Sequence, residues 1–344
     1  FKSEDTMEIQ DALDSGKFTV NALTASINNA EVPKTRLAEL GWFQERGIRT
    51  THADIEYKDG QIILVPEKER GADGTRTEDR TRNVFTFKAV HLPLEGAIYA
   101  DDIQNVRAFG SDDELEDLDT LIAEKHEDHR LSLDATVEHL RMGAIVGKVM
   151  GASGEVIENL FTKFGITPAY DTVDFTKPDT LRPQLLDIKR KSEKAQKGIK
   201  AKRYRALCSA AFFDQLLQND GFKEAFDRYQ NGAALRDDVR AGVSWNNVIW
   251  EELDEIFADK KYFGDRDDVE AVLVPEDKPG LFITRFAPAN YNETVNTIGL
   301  PYYSRSEAKR MGKGVDIESQ TNVINVCTSP LAVRRLKMTT APAQ

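Results

Sequence analysis

The sequence predicts an α+β protein built around projecting elements instead of one compact ball. Three observations carry that expectation. Two alternating, extended runs between residues 55 and 90 flank a long polar stretch, a helical seam of unusual length covers 112–146, and strand-like and helical runs are mixed between 204 and 338. The chain has 344 residues, long for one domain and comfortable for two, and its 40% apolar content can fill a core.

From the N-terminus, Met7 to Ala30 alternates short apolar islands with polar residues until Pro33, which reads as an arm rather than a core element. Ile55 and Tyr57 then face one way, and Asp59-Gly60 is a hairpin signal before the apolar run 61–65. Pro66 to Asn83 is almost wholly polar, with five basic residues (Lys68, Arg70, Arg76, Arg80, Arg82) and five acidic ones (Glu67, Glu69, Asp73, Glu78, Asp79). Alternation returns from Val84 to Val90, so the object is an 18-residue polar loop on a two-stranded stalk. Loops of that length are uncommon unless they are used. A charge-dense loop cannot build its own core, so it is either flexible or lies on another subunit, and we expect the second.

Residues 101–130 carry eleven acids against three bases. Inside this block Leu115, Leu118 and Ile122 begin a stripe that continues, after a polar gap, as Leu133, Val137, Leu140 and Ala144. Steps of three and four are the helical period. Ser111 with Glu114 offers a capping box. Acids at the start suit the helix dipole, and a helix over 112–146 would be roughly 50 Å long, a spine more than a core element. Lys148–Met150 and Glu155–Leu160, joined through Gly151 and Gly154, predict a second hairpin. Pro168 to Pro183 reads as a linker and Leu185 to Lys200 as a basic helix, with nine Lys or Arg against two acids between Asp187 and Arg205. Beyond it we expect strands at 204–209, 270–274, 281–286 and 322–327 and helices at 211–219, 221–230 and 246–258. Phe222, Phe226 and Tyr229 share a helical face that reads as core.

Composition excludes several classes. A formal charge of −12 argues against a tight nucleic-acid reader, which shows a basic footprint. No apolar run approaches 18 residues, so no segment reads as a membrane span. Two distant cysteines, Cys208 and Cys327, lie in apolar strand-like runs, read as core, and fit a reducing compartment. The first residue is Phe1 instead of Met, which reads as a fragment, a processed form or an ordered core.

Motifs for chemistry are few. Glu124, His126, Asp128 and His129 form the one metal-like cluster, with ligand types zinc or iron accepts. Both histidines nevertheless fall on the spine helix's own stripe, and His139 is the last histidine in the chain. Gly143 to Val149 departs from a phosphate loop in glycine spacing and lacks the hydroxyl after Lys148. No Gly-x-Ser-x-Gly elbow occurs, and all five histidines lie in the first 140 residues, which disfavours a Ser-His-Asp triad. Asn292-Glu-Thr294 matches a glycosylation triplet in a chain that does not read as secreted, and the basic run 187–205 could meet an acidic surface or lie in solvent. No nucleophile, base or cofactor cradle emerges. Projecting elements offset their ordering cost only by burying surface on neighbours, and symmetry supplies neighbours from one chain.

The order of these elements resembles the major capsid proteins of tailed bacteriophages, in particular the lambda-like major head protein family. The residues that carry the resemblance are Arg49 to Tyr57 before the polar loop, His91-Leu-Pro-Leu94 after it, the 112–146 helix with its hairpin, and Asn322 to Leu331. The resemblance implies an HK97-type fold: an N-terminal arm (1–40), an extended loop with flanking strands (41–92), a peripheral domain with the spine helix (93–180), an axial domain (181–321), and a final strand returning to the peripheral domain with a tail (322–344). It further implies a structural protein that assembles into pentamers and hexamers as an icosahedral shell around double-stranded DNA, held non-specifically on the inner face. Scaffold, portal and a decoration protein are the implied partners, with no membrane, no cofactor and no catalytic residue. The implied location is the virion, assembled in the bacterial host cytoplasm. Some relatives cross-link a loop lysine to an asparagine; Lys68 is the only lysine in 66–83, and nothing else in the sequence matches that site. Lys68, Arg70, Arg76, Glu78, Asp79, Arg80 and Arg82 are the expected inter-subunit contacts. Two alternatives stand beside this reading: an encapsulin-like cargo shell of the same fold, and a cytosolic metal-dependent enzyme using His126 and His129.

Overall fold

The computed structural model describes residues 18–59, 81–105, 114–196, 200–224, 240, 242–253, 255–257, 260–263, 268–276 and 278–339. The elements begin with α1 (Val20–Asn29), α2 (Arg36–Leu40), β1 (Phe43–Gly47), β2 (His52–Asp59), β3 (Thr81–Lys88), β4 (Val90–Tyr99), α3 (Ala100–Asn105) and α4 (Glu114–Val146). There follow β5 (Lys148–Met150), β6 (Val156–Asn159), α5 (Leu160–Phe164), β7 (Tyr170–Asp174), α6 (Leu181–Ala195), β8 (Tyr204–Cys208) and α7 (Ala210–Gln218). The strands that follow are β9 (Val243–Trp245), β10 (Val248–Glu252), β11 (Glu255–Phe257), β12 (Lys260–Lys261), β13 (Ala271–Pro275), β14 (Phe282–Phe286), β15 (Tyr303–Ala308), β16 (Gly314–Cys327) and β17 (Arg334–Thr339). They divide into two units, one taking residues up to 53, 87–138 and 284–325, the other 54–86, 139–283 and from 326 on. Residues 284–325 thus cluster apart from 181–283, a division that strand pairing creates and local pattern does not show.

In the first unit β16 is the organising strand. It pairs antiparallel with β4 from Gly314↔Tyr99 to Val323↔Val90 and with β15 from Tyr303↔Gln320 to Ala308↔Val315. The sheet order is β1-β14-β16-β15, with β4 joined to β16. Pro93 sits in β4, where a missing donor is tolerated on an outer strand. The stripe on α4 meets this sheet: Leu118 and Ile122 pack with Ile98, Val315 and Ile317, and Leu133 packs with Tyr302. From Val20 on, the apolar residues before Pro33 form one face of α1, capped by Thr19, whose Oγ1 accepts from Ala22 N, while the islands before Phe18 lie outside the described residues. Its Leu23 and Ile27 are buried in the same clusters as α4. That segment is therefore core from residue 20 on, because i and i+4 residues share a helix face.

In the second unit the sheet runs β7-β17-β13-β8-β10-β9. Its central strands are largely buried: β13 reads as a continuous apolar run, and β8 does so apart from Arg205. Leu181, Leu185 and Ile188 of α6 and Phe212, Phe213 and Leu216 of α7 join the strand residues Trp250 and Leu336 in one core. Three expectations are corrected here. The helix expected at 246–258 is instead a hairpin, because Asn246 and Asn247 both adopt positive φ (54° and 58°) and turn β9 onto β10. The linker expected at 168–183 holds β7, parallel to β17, and the start of α6. The one final strand expected within 322–344 is two: β16 ends at Cys327 and β17 lies between β13 and β7 in the six-stranded sheet.

The C-terminal end of α4 explains the glycines that imitate a phosphate loop. A Cβ on Gly143 would lie 2.7 Å from the Lys148 carbonyl, so the helix and β5 need glycine to meet. Gly147 has φ +98° and ends the helix. Arg335, fully buried, donates from Nη2 to Ile145 O (3.3 Å) and from Nε to Val146 O, satisfying helix-end carbonyls. Burial lowers its pKa to about 10.

Candidate functional site

Three sets of residues could carry function: the stalk and its loop, the charged or apolar surfaces, and the buried histidines of α4. The stalk exists as expected, since β2 and β3 pair as a separate two-stranded sheet. Lys68, Arg70, Arg76, Glu78, Asp79 and Arg80 lie outside the described residues, as does the Gly60 turn; Arg82 falls within β3.

The basic run keeps only part of its charge free. Lys191 bridges Asp171 and Asp187 at 3.0 and 2.8 Å, and Arg203 and Arg205 hold Glu276 at 2.6 and 2.7 Å. Arg182, Arg190 and Lys194, at four- or eight-residue steps along α6, are exposed on one side while Leu185, Ile188 and Ser192 are buried. The first unit also exposes an apolar set that the sequence reading missed: Val295, Ile298 and Leu300 are 66%, 56% and 45% exposed. Pattern alone could not find it, because three apolar residues in six resemble any core segment. Asn292–Thr294, the glycosylation-like triplet, is a short 3₁₀ turn whose Thr294 is buried and donates to Ala289 O.

His126 and His129 occupy the polar gap in the α4 stripe and continue it inward. Both are buried. His126 Nδ1 hydrogen-bonds Ser26 Oγ of α1 at 3.0 Å, and its Nε2 hydrogen-bonds Ser304 Oγ of β15 at 2.9 Å. His129 Nδ1 hydrogen-bonds Ser319 Oγ of β16 at 2.9 Å, and Ser319 Oγ reaches Ser304 Oγ at 3.5 Å. Burial, with His129 beside it, lowers the His126 pKa to about 4; burial and the nearby Lys125 lower that of His129, which Asp128 raises in part. Both imidazoles are therefore neutral near pH 7. Both nitrogens of His126 face hydroxyls, and no group of three metal-type ligands occurs among the described residues. The metal-enzyme alternative is not favoured. Serines at 26, 304 and 319 are too far apart in sequence for any motif to connect them.

The cysteines lie where expected. Cys208 ends β8 and Cys327 ends β16, both buried and free. Burial raises both thiols, Cys327 to about 11, the opposite of an activated nucleophile.

Comparison with known proteins gives this arrangement a family. The model of the family described as phage major capsid protein E matches residues 19–338. The major capsid protein of Pseudomonas phage KPP10 is 30% identical over 322 residues, covering 85% of this chain and 91% of that protein. The major capsid protein of Salmonella phage Felix O1 is 21% identical over 92% of this chain and 95% of its own. The crystal structure of a putative capsid protein of an Escherichia coli CFT073 prophage superposes with TM-score 0.58 at 16% identity, covering 93% of this chain and 99% of that one. The capsid of Ralstonia phage GP4 superposes with TM-score 0.51 at 12% identity over 92% and 95% of the two chains. These neighbours share the HK97-type α+β fold expected from the order of elements. The match over nearly the whole length shows that the chain belongs to the phage major capsid protein E family.

Proposed function

We propose that this chain is the principal subunit of an icosahedral phage head, assembling in pentamers and hexamers around double-stranded DNA. The observation that carries this reading is the family match across 19–338, on a fold shared with phage capsids. Two features of the molecule support self-assembly on physical grounds. A two-stranded ribbon such as β2–β3 is marginal by itself and gains stability by lying on another surface, and Val84 on β3 is exposed. An apolar set such as Val295, Ile298 and Leu300 marks a contact surface on a soluble unit.

In this reading the segment 66–83 lies across an adjacent subunit, with Lys68, Arg70, Arg76, Glu78, Asp79, Arg80 and Arg82 matched to its charges. Matched charges set register and reject wrong partners more than they add affinity. The unit holding the five-stranded sheet serves as the peripheral part of the shell, and the six-stranded sheet serves as the axial part that meets at five-fold and six-fold centres. The partners are a scaffold during assembly, a portal at one vertex and a decoration protein outside. Assembly takes place in the bacterial cytoplasm and the product is the virion. The net charge of −12 suits a wall that encloses DNA without gripping it.

Electron microscopy and mass measurement of the purified full chain test this directly. Closed shells containing DNA are expected on infection, whereas a cargo protein in place of DNA would favour the encapsulin-like reading. Deleting 67–82 is expected to leave a soluble chain that fails to close mature shells. Normal shells from that deletion would remove the loop from the assembly contacts.

A further inference from the structure

Helix α1 is fastened to its unit by the buried Leu23 and Ile27 and by polar contacts, one of them to the His126 imidazole. It spans Val20–Asn29 and contains no charged residue. Ser26 Oγ meets His126 Nδ1, Thr24 Oγ1 accepts from Ser304 N at 3.3 Å, and Asn28 Nδ2 donates to Tyr302 O at 2.8 Å. Arg130 Nη1 donates to Ile27 O and Asn28 O, at 2.9 and 3.3 Å, at the helix's C-terminal end. A ten-residue helix is marginal in water by itself, so α1 stays helical only while docked.

We propose that the His126–His129 cluster is an acid-operated latch, and that proton uptake there releases α1 from α4 and β15 while the rest of the unit stays folded. The serine hydroxyls can rotate to accept from an imidazolium, so hydrogen bonding alone does not forbid the charge. The obstacle is a buried charge with no counter-ion against His126 among the described residues. From α1 come Ser26 and Thr24, neither charged. From the sheet come Ser304, Ser319 and Gly96, whose Cβ position lies 2.7 Å from His129 Nε2 and leaves no room for a carboxylate there. The charged residues of β15 and β16 alternate to the opposite face, where Arg305 pairs with Glu293 and Glu318 accepts from the Tyr291 hydroxyl. On α4, Lys125 and His129 disfavour a further positive charge, and Asp128 alone favours one. Arg130 and Asp134 are occupied with each other at 3.0 Å.

The direction of the pH effect follows. A released imidazole binds its proton near 6.5, and the docked His126 only near 4. The released state therefore takes up protons first, and docking weakens as pH falls from about 6.5 towards 4. Each proton taken up on release shifts the equilibrium up to about tenfold per pH unit in that window, or roughly twentyfold between pH 7.0 and 5.0 for one imidazole. The latch rests on this geometry and not on the shell-forming role.

Hydrogen–deuterium exchange of the full chain at pH 7.0 and 5.0, corrected for intrinsic exchange rates and with assembly state matched by light scattering, is the test. Residues 20–29 are expected to exchange about twentyfold faster at pH 5.0, while 133–137, 204–208 and 315–321 keep their protection. His126→Gln is expected to shrink that step several-fold, and His91→Gln, outside the cluster, to leave it intact. An unchanged rate for 20–29 in the wild-type chain overturns the latch, as does an undiminished step in His126→Gln. Should His126→Gln not fold, the wild-type pattern decides alone, because loss of protection spread over 133–137 and 315–321 would mean general unfolding and no latch.

Discussion

The two units bury polar groups in opposite ways. The first buries mostly hydroxyls, amides and neutral imidazoles: Ser304, Ser319, Gln320 and Thr321 are all at most 1% exposed, His126 and His129 sit among them, and the buried Glu138 accepts from Thr35 Oγ1 and Leu37 N. The second buries more formal charges, most of them beside opposite charges, with Arg335 held by backbone carbonyls instead. Arg205 lies between Glu251 (2.6 Å) and Glu276 (2.7 Å), and Arg334 holds Asp171 at 2.6 Å while Lys191 takes its other oxygen at 3.0 Å. An uncharged network tolerates rearrangement and is vulnerable to a proton. A paired-charge network is vulnerable to the loss of one partner, which strands the other in a medium that solvates it badly. The unit with the neutral network also holds the N-terminal helix that must dock onto it.

The sharpest way to break this contrast is Arg205→Met. It leaves Glu251, almost fully buried, beside Glu276 without their shared cation, and is expected to cost about 3–5 kcal/mol in denaturant unfolding followed through Trp245 and Trp250. A cost below about 1 kcal/mol would mean that the charges of the second unit are solvated after all. Ser304→Ala is the matching change in the first unit. It removes the hydroxyl on His126 Nε2 and is expected to destabilise by about 1–3 kcal/mol, read from exchange of residues 315–321. An effect as large as that of Arg205→Met would erase the difference between the networks. Arg305→Ala gives the smallest effect. Its pair with Glu293 is 3.3 Å long with both side chains more than two-fifths exposed, so stability is expected to stay within about 0.5 kcal/mol by thermal unfolding.

Much of the fold was readable from local pattern where one residue period dominated. The stripe through Leu118, Ile122, Leu133, Val137, Leu140 and Ala144 marks α4, and every one of those residues is buried. Even the polar gap in that stripe was an element of the core, with His126 and His129 pointing inward. The hairpin after α4 was legible because its glycines leave few other conformations, and Gly154 does adopt φ +88°. Residues 246–258 misled because Ile249, Leu253 and Ile256 recur at helical steps of four and three while Val248 and Trp250 alternate as in a strand, and the Asn246-Asn247 turn that decides the matter depends on two left-handed residues. The candidate histidines could be seen in advance. Their partners could not, since Ser26, Ser304 and Ser319 are ordinary residues separated by most of the chain.

By itself the sequence determined the presence of the elements whose period is local: the spine helix, the stalk and the basic helix. Hydrophobic periodicity and turn chemistry act over a few residues, so they survive reading in one dimension. Tertiary structure alone decided that β16 joins β4, β14 and β15, that β17 lies in a different sheet, and that two histidines meet three distant serines. Those outcomes depend on which buried donors and acceptors find one another in three dimensions, and the cost of leaving one unpaired enforces the choice.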